Sequence, residues 1–199
     1  MIQTIYIERQ GADHPRTRKI VARFPAAQQI VCDRYTEIFN PKNQNFRLQK
    51  QQPALIIAHK FGKRVLSAPE GYGVGGQHNY YFSHMLNCIY DCRYCFLQGM
   101  YRSAHYVLFI NYDDFFTSMD HTLANHPSED VWFFSGYDCD SLALDPVTGF
   151  AGHLLTFLES RQRAFAELRT KSTQIRALLS VPAIPNAIVA FSLTPTETA

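Results

Sequence analysis

From Tyr80 to Leu193, apolar runs of strand length alternate with stretches of helical period, separated by short polar connections. Tyr80–Leu86, Val131–Ser135, Glu167–Thr170 and Ala187–Leu193 read as strands. Tyr112–His126 and Phe150–Ala164 read as helices, the second with Leu154, Leu155 and Leu158 at helical spacing, and Thr173–Leu179 as a helical turn or two. Such alternation demands parallel pairing, because each crossover returns the chain to the same end of the sheet. The expected class is α/β, with a TIM-like (β/α) barrel only partly built: four core strands are legible, and a closed eight-stranded barrel needs about 250 residues against the 199 here. Chemistry in such sheets gathers at the C-terminal ends of the strands.

The N-terminal third reads as a small α+β segment. Ile2–Glu8 alternates like a strand, and His14–Phe24 carries a helical stripe of Ile20, Val21 and Phe24 that Pro25 ends. Gln28–Arg34 and Pro53–Lys60 are expected as strands around a polar loop, 40–52. The Gly-rich stretch 69–76 is expected as a flexible junction, dividing the chain into domains 1–76 and 77–199. Its Gly71-x-Gly73-x-x-Gly76 matches the dinucleotide fingerprint letter for letter, but no strand clearly precedes it and an extended segment follows, so it reads as loop.

Composition excludes several classes. With 46% hydrophobic and 14% aromatic residues the chain is not disordered, and no apolar run approaches the ~18 residues that span a bilayer. Met1–Glu8 lacks a basic n-region and a small-residue cleavage site, so no secretory signal and no membrane partner are expected. Residues 1–64 hold 12 Lys/Arg against 4 Asp/Glu, while residues 65–199 hold 7 against 13. A basic third attracts a polyanion such as DNA or RNA, although an ordinary solvated face looks the same from charge alone.

The five cysteines are odd in number and three are clustered, which argues against a disulfide framework and for a reducing, cytoplasmic setting. Cys88, Cys92 and Cys95 form C-x3-C-x2-C, with Tyr94 directly before the last, on a loop that follows a strand. Three thiolates so spaced can each hold one corner of a [4Fe–4S] cube and leave the fourth iron open. The rival is zinc, whose fourth ligand would have to come from a distant residue such as His84 or Cys139. At the same expected strand ends, Lys171 can hold a carboxylate as a compact charge, and Ser192 can donate to the same ligand. Each taken singly is also an ordinary structural residue. Cys139, in the segment Gly136–Ser141, is either a small buried side chain or a hydrogen-atom donor.

Cys88-x3-Cys92-x-Tyr94-Cys95 resembles the signature of the radical S-adenosylmethionine enzymes. Cys95-Phe96-Leu97-Gln98, Asp140-Ser141-Leu142-Ala143-Leu144-Asp145, Thr170-Lys171 and Phe191-Ser192 are similar, in order and spacing, to successive blocks of the spore photoproduct lyase family. The resemblance implies a radical SAM barrel in which Cys88, Cys92 and Cys95 ligate the cluster and its open iron takes the amino and carboxylate groups of S-adenosylmethionine. It implies that Lys171 and Ser192 hold the methionine moiety, that the Tyr94 backbone lies near the adenine, and that Asp140 and Ser141 belong to the segment gripping the amino group. Reductive cleavage would then give a 5′-deoxyadenosyl radical that starts repair of a thymine photoproduct in DNA, with a flavodoxin or ferredoxin as electron donor.

Two departures from the family pattern stand out. Phe96 occupies a position where the family carries tyrosine, and Cys139 lies slightly later than the family's donor cysteine, which falls near Tyr137 or Asp138. The family also continues past Ser192, so a fragment, a truncated product or half of a split enzyme is expected. Alternatives are the same radical chemistry on RNA, a peptide or a small molecule, a non-enzymatic zinc and nucleic-acid-binding module, and an inert remnant.

Overall fold

A computed structural model of the chain describes residues 2–193 except 40, 43 and 91. Among the described residues the strands are β1 (Thr4–Glu8), β2 (Gln28–Cys32), β3 (Leu55–Ala58), β4 (Leu66–Ser67), β5 (His78–Phe82), β6 (Met85–Leu86), β7 (Tyr106–Phe109), β8 (Val131–Ser135), β9 (Ala164–Thr170) and β10 (Ala187–Phe191). The helices are α1 (Pro15–Val21), α2 (Phe46–Gln51), α3 (Leu97–Met100), α4 (Tyr112–Ala124), α5 (Asp145–Thr148), α6 (Phe150–Glu159) and α7 (Arg176–Leu179). No helix among them is long and apolar enough to cross a membrane.

The chain forms two compact units that interleave in sequence: Met1–Lys60 with Met85–Ile110, and Phe61–His84 with Asn111–Thr198. The boundary expected at residue 76 falls inside the second unit, and the expected strand Tyr80–Leu86 is divided between the two.

The first unit is a five-stranded sheet of order β2-β1-β3-β7-β6. β1, β2, β3 and β7 pair in parallel and only β6 runs antiparallel, so the N-terminal region is α/β where α+β was expected. α1 makes the first crossover: Pro15 presets its first turn, His14 Nδ1 caps it by accepting from the Arg16 N–H at 3.1 Å, and Ile20 is buried. At the end of β1 the buried Glu8 carboxylate accepts from the Tyr35 and His59 N–H groups. β3 is buried along its whole length, as a strand covered on both faces must be.

The second unit is a five-stranded sheet of order β10-β9-β8-β5-β4, in which β5, β8, β9 and β10 run parallel and β4 is antiparallel. These four parallel strands correspond to the four read from the sequence. α4 buries Tyr112, Phe115, Met119 and Leu123, one face at helical spacing, and places Asp113 and Asp114 in the first turn where they favour the helix dipole. Phe82 packs against Phe115 and Phe150, fastening α4 and α6 to β5. The Gly-rich stretch is a turn-rich loop, and a Cβ on Gly76 would lie 2.3 Å from the Trp132 ring, so this glycine serves packing rather than a phosphate.

Candidate functional site

The cysteine loop leaves the first unit's edge strand β6 through Asn87, the only described non-glycine residue with positive φ (65°). Asn tolerates the left-handed region because its short amide bonds to nearby backbone. Here that amide donates to the Ser103 and His105 carbonyls at 2.6 and 2.8 Å, pinning the loop's entry. The Tyr90 N–H points at Cys88 Sγ (3.4 Å), and the Cys95 N–H donates to the Cys92 carbonyl (3.0 Å), closing the turn that carries the last two thiols into α3. None of the three cysteines is in a disulfide, and all are half-buried. A pocket of about 40 Å³ behind the loop is lined by Phe46, Lys50, Asn87, Cys88, Tyr90 and Gln98 among others. Tyr94 and Phe96 are 60% and 58% exposed on the same loop.

A tetrahedral zinc ion with Zn–S of about 2.3 Å sets its thiolates about 3.8 Å apart. A [4Fe–4S] cube instead seats each thiolate on a different iron. The zinc rival's distant ligands are both buried in the second unit. His84 lies flat on Phe150, ring centroids 4.0 Å apart, and burial pushes its pKa down to about 3. Cys139 is 6% exposed.

In the second unit the expected residues cluster at the C-terminal ends of β8, β9 and β10. Asp140 holds this cluster together. Its Oδ1 accepts from the Leu142 and Ala143 N–H groups and from Thr170 Oγ1 (2.6 Å), and its Oδ2 accepts from the Lys171 N–H (2.6 Å). These four bonds make Asp140 a brace between the β8 loop and the β9 end. Lys171 Nζ reaches the Ser192 carbonyl at 3.2 Å, and the Ser192 N–H donates to the Thr170 carbonyl. The loop closes tightly: Gly136 has φ 78°, and a Cβ there would sit 2.5 Å from Ser141 Oγ.

Around these strand ends several buried polar atoms have no hydrogen-bond partner: Ser83 Oγ after β5, Ser135 Oγ at the end of β8, and Asp138 Oδ1 and Ser141 Oγ in the following loop. An unmade buried hydrogen bond costs about 1–3 kcal/mol, so orphans gathered at strand ends mark a socket for a polar ligand. Hydroxyls, a carboxylate and the nearby Lys171 ammonium fit a small zwitterion with amino and carboxylate groups. Ser83 and Ser135 were not singled out from the sequence, and the bracing Thr170 only as part of the Thr170-Lys171 block, although all sit at or just past the C-terminal ends of the strands, where the parallel-sheet rule directs attention. Asn87 carried no signal beyond preceding Cys88.

The family model for spore photoproduct lyase matches residues 1–196. A search of curated proteins found no match. Among solved structures, a cysteine-substituted spore photoproduct lyase superposes with a TM-score of 0.85 at 15% identity. Spore photoproduct lyase complexed with dinucleoside spore photoproduct follows at 0.84 and 16%. A doubly substituted form with bound AdoMet and dinucleoside spore photoproduct gives 0.84 and 15%. In each case 100% of this chain is covered and 58% of the solved chain, so the chain spans under two thirds of those structures' length.

Proposed function

The chain belongs to the spore photoproduct lyase family, and on that premise we propose a radical S-adenosylmethionine lyase acting on thymine photoproducts in DNA. The observation that carries the reading is the trio of thiols, none in a disulfide, on a loop pinned by Asn87, in a chain that the family model covers almost end to end. In this reading Cys88, Cys92 and Cys95 hold a [4Fe–4S] cluster. Ser141, Lys171 and Ser192 hold the methionine end of S-adenosylmethionine, and the Tyr94 backbone lies beside the adenine. When bound, the pair supplies a 5′-deoxyadenosyl radical.

The chain's own residues then bind, orient and protect. The Lys171 ammonium supplies positive charge for a carboxylate, and Ser141 Oγ a hydrogen bond that the fold leaves unmade. Asp140 acts one step removed, as a positioning residue that fixes the Lys171 backbone and the Ser141 loop. Cys139, buried in that loop, is the proposed hydrogen-atom donor to the repaired base. Burial of Asp140, Ser141 and Cys139 supports the dry surroundings that so reactive a species requires. The excess of Lys and Arg in residues 1–64 suits contacts to DNA phosphates. A low-potential flavodoxin or ferredoxin is the proposed electron source, the cytoplasm the proposed compartment, and a partial radical SAM barrel the proposed architecture.

Anaerobic reconstitution tests the reading. A reducible cluster whose paramagnetic resonance signal changes on adding S-adenosylmethionine, with thymine released from a dinucleoside spore photoproduct, is the expected result. Zinc uptake without iron overturns it. Phe96 favours a second reading, the same radical chemistry on another substrate, because a phenyl ring has no phenolic hydrogen to relay. Formation of 5′-deoxyadenosine without thymine release selects that alternative.

A further inference from the structure

At the opposite end of the second unit's sheet, where the parallel strands begin, His78 opens β5, His126 follows the end of α4, and Glu129 lies in the turn before β8. His78 Nε2 is 3.1 Å from Glu129 Oε2, and His126 Nδ1 is 3.6 Å from the same oxygen. One ligand atom from each of the three lies within 4.8 Å of the others. Tetrahedral zinc, with bonds of about 2.0–2.2 Å, sets its ligand atoms about 3.3–3.6 Å apart. The two separations to Glu129 Oε2 lie close to that range.

We propose that His78, His126 and Glu129 form a second metal site, for a divalent ion of the zinc class, that clips the start of β5 to the turn entering β8.

Three observations separate this cluster from a chance ion pair. His78 Nε2 is buried and makes no hydrogen bond: the Glu129 carboxylate is close enough, yet out of line for one. A nitrogen lone pair so placed is satisfied by an ion between the two groups. His126 carries the outer contact that metal-bound histidines require. Its Nε2 lies 2.8 Å from the Tyr80 hydroxyl, so with metal on Nδ1 the Nε2–H donates to the phenol oxygen, fixing tautomer and ring angle. The turn itself is held from behind, because one Arg163 nitrogen donates to the carbonyls of His126 (2.6 Å) and Glu129 (3.1 Å). The two imidazoles stack with centroids 3.7 Å and planes 25° apart, so one ring must turn for both in-plane lone pairs to meet a single ion.

Two imidazoles and one carboxylate suit zinc among the borderline ions. Three protein ligands leave a fourth position for water, on the side where Glu129 is half exposed. The site uses none of the cysteines, Lys171 or Ser192.

The test is zinc stoichiometry on the full chain with its cluster reconstituted, so that the thiolates are already committed. One equivalent of zinc retained after dialysis is expected beyond the iron. Glu129→Gln and His126→Gln should each weaken zinc binding at least 100-fold, and Tyr80→Phe about 10- to 100-fold. Because a histidine variant can lose structure for other reasons, thermal unfolding gives a second readout. Zinc should raise the melting temperature of the parent chain and leave that of Glu129→Gln unchanged. No zinc beyond background, or equal zinc in parent and Glu129→Gln, overturns the site.

Discussion

The cysteine loop of the first unit and the strand-end cradle of the second are built on opposite plans. The loop is the more exposed of the two: its thiols are half-buried, Tyr94 and Phe96 lie mostly in solvent, and Asn87 ties its entry down. The cradle is buried and over-determined, with one carboxylate accepting four hydrogen bonds from two separate segments. Thiolates that receive a bulky inorganic group gain from a loop that can adjust to it. Groups that orient a small ligand must already be in place, and rigid strand ends supply that precision.

This contrast can be broken by measurement. Asp140→Ala should be the costliest change, about 3–5 kcal/mol, because it strands three backbone N–H groups and the Thr170 hydroxyl in a buried setting. Denaturant unfolding reads this directly, and a loss below about 1 kcal/mol would mean that the cradle is not braced as described. Asn87→Ala should cost about 2–3 kcal/mol, combining two lost hydrogen bonds with a left-handed backbone that alanine resists. Asn87→Gly should cost less, since glycine keeps the backbone angle and loses only the bonds.

Acid should find the second unit through His84. Its folded pKa of about 3 lies below the ordinary histidine value of 6.5, so below pH 6.5 the unfolded chain takes up a proton that the folded chain refuses. The contribution is intact above pH 6.5 and should fall by about 1.4 kcal/mol per pH unit as the pH drops toward 3. His84→Phe should flatten that part of the stability–pH curve, and an unchanged slope would reject the assignment. The smallest stability effect is expected at Cys92: in the cluster-free chain Cys92→Ala should lie within about 0.5 kcal/mol of the parent, yet iron uptake should be lost. A Cys92 variant as unstable as Asp140→Ala would erase the difference between the regions.

Legibility in the sequence followed the same division. Val131–Ser135 was readable residue for residue, and α4 to within two residues at its end, because both carry a strong apolar pattern. β7 was not read, although Tyr106–Phe109 is continuously apolar: a strand covered on both faces lacks alternation, and no turn signal frames this one. α2 was hidden inside an expected polar loop because none of its residues is buried; the Asn45 side chain, accepting from the Leu48 N–H, starts it instead. The helix expected through Ala164 stops at Glu159, where Arg161 turns to pair with Asp120 and frees Ala164 to begin β9. Such choices depend on partners far along the chain, and a local reading has no access to them.

The sequence alone determines the parallel α/β plan of the second unit and the three thiols within one eight-residue stretch, because periodicity and spacing are local properties of the chain. Only the tertiary structure decides that Asp140 braces two separate segments, that orphaned hydroxyls gather at the strand ends, and that His78, His126 and Glu129 meet. Each of these depends on which buried polar groups find partners, and that is settled when distant segments pack.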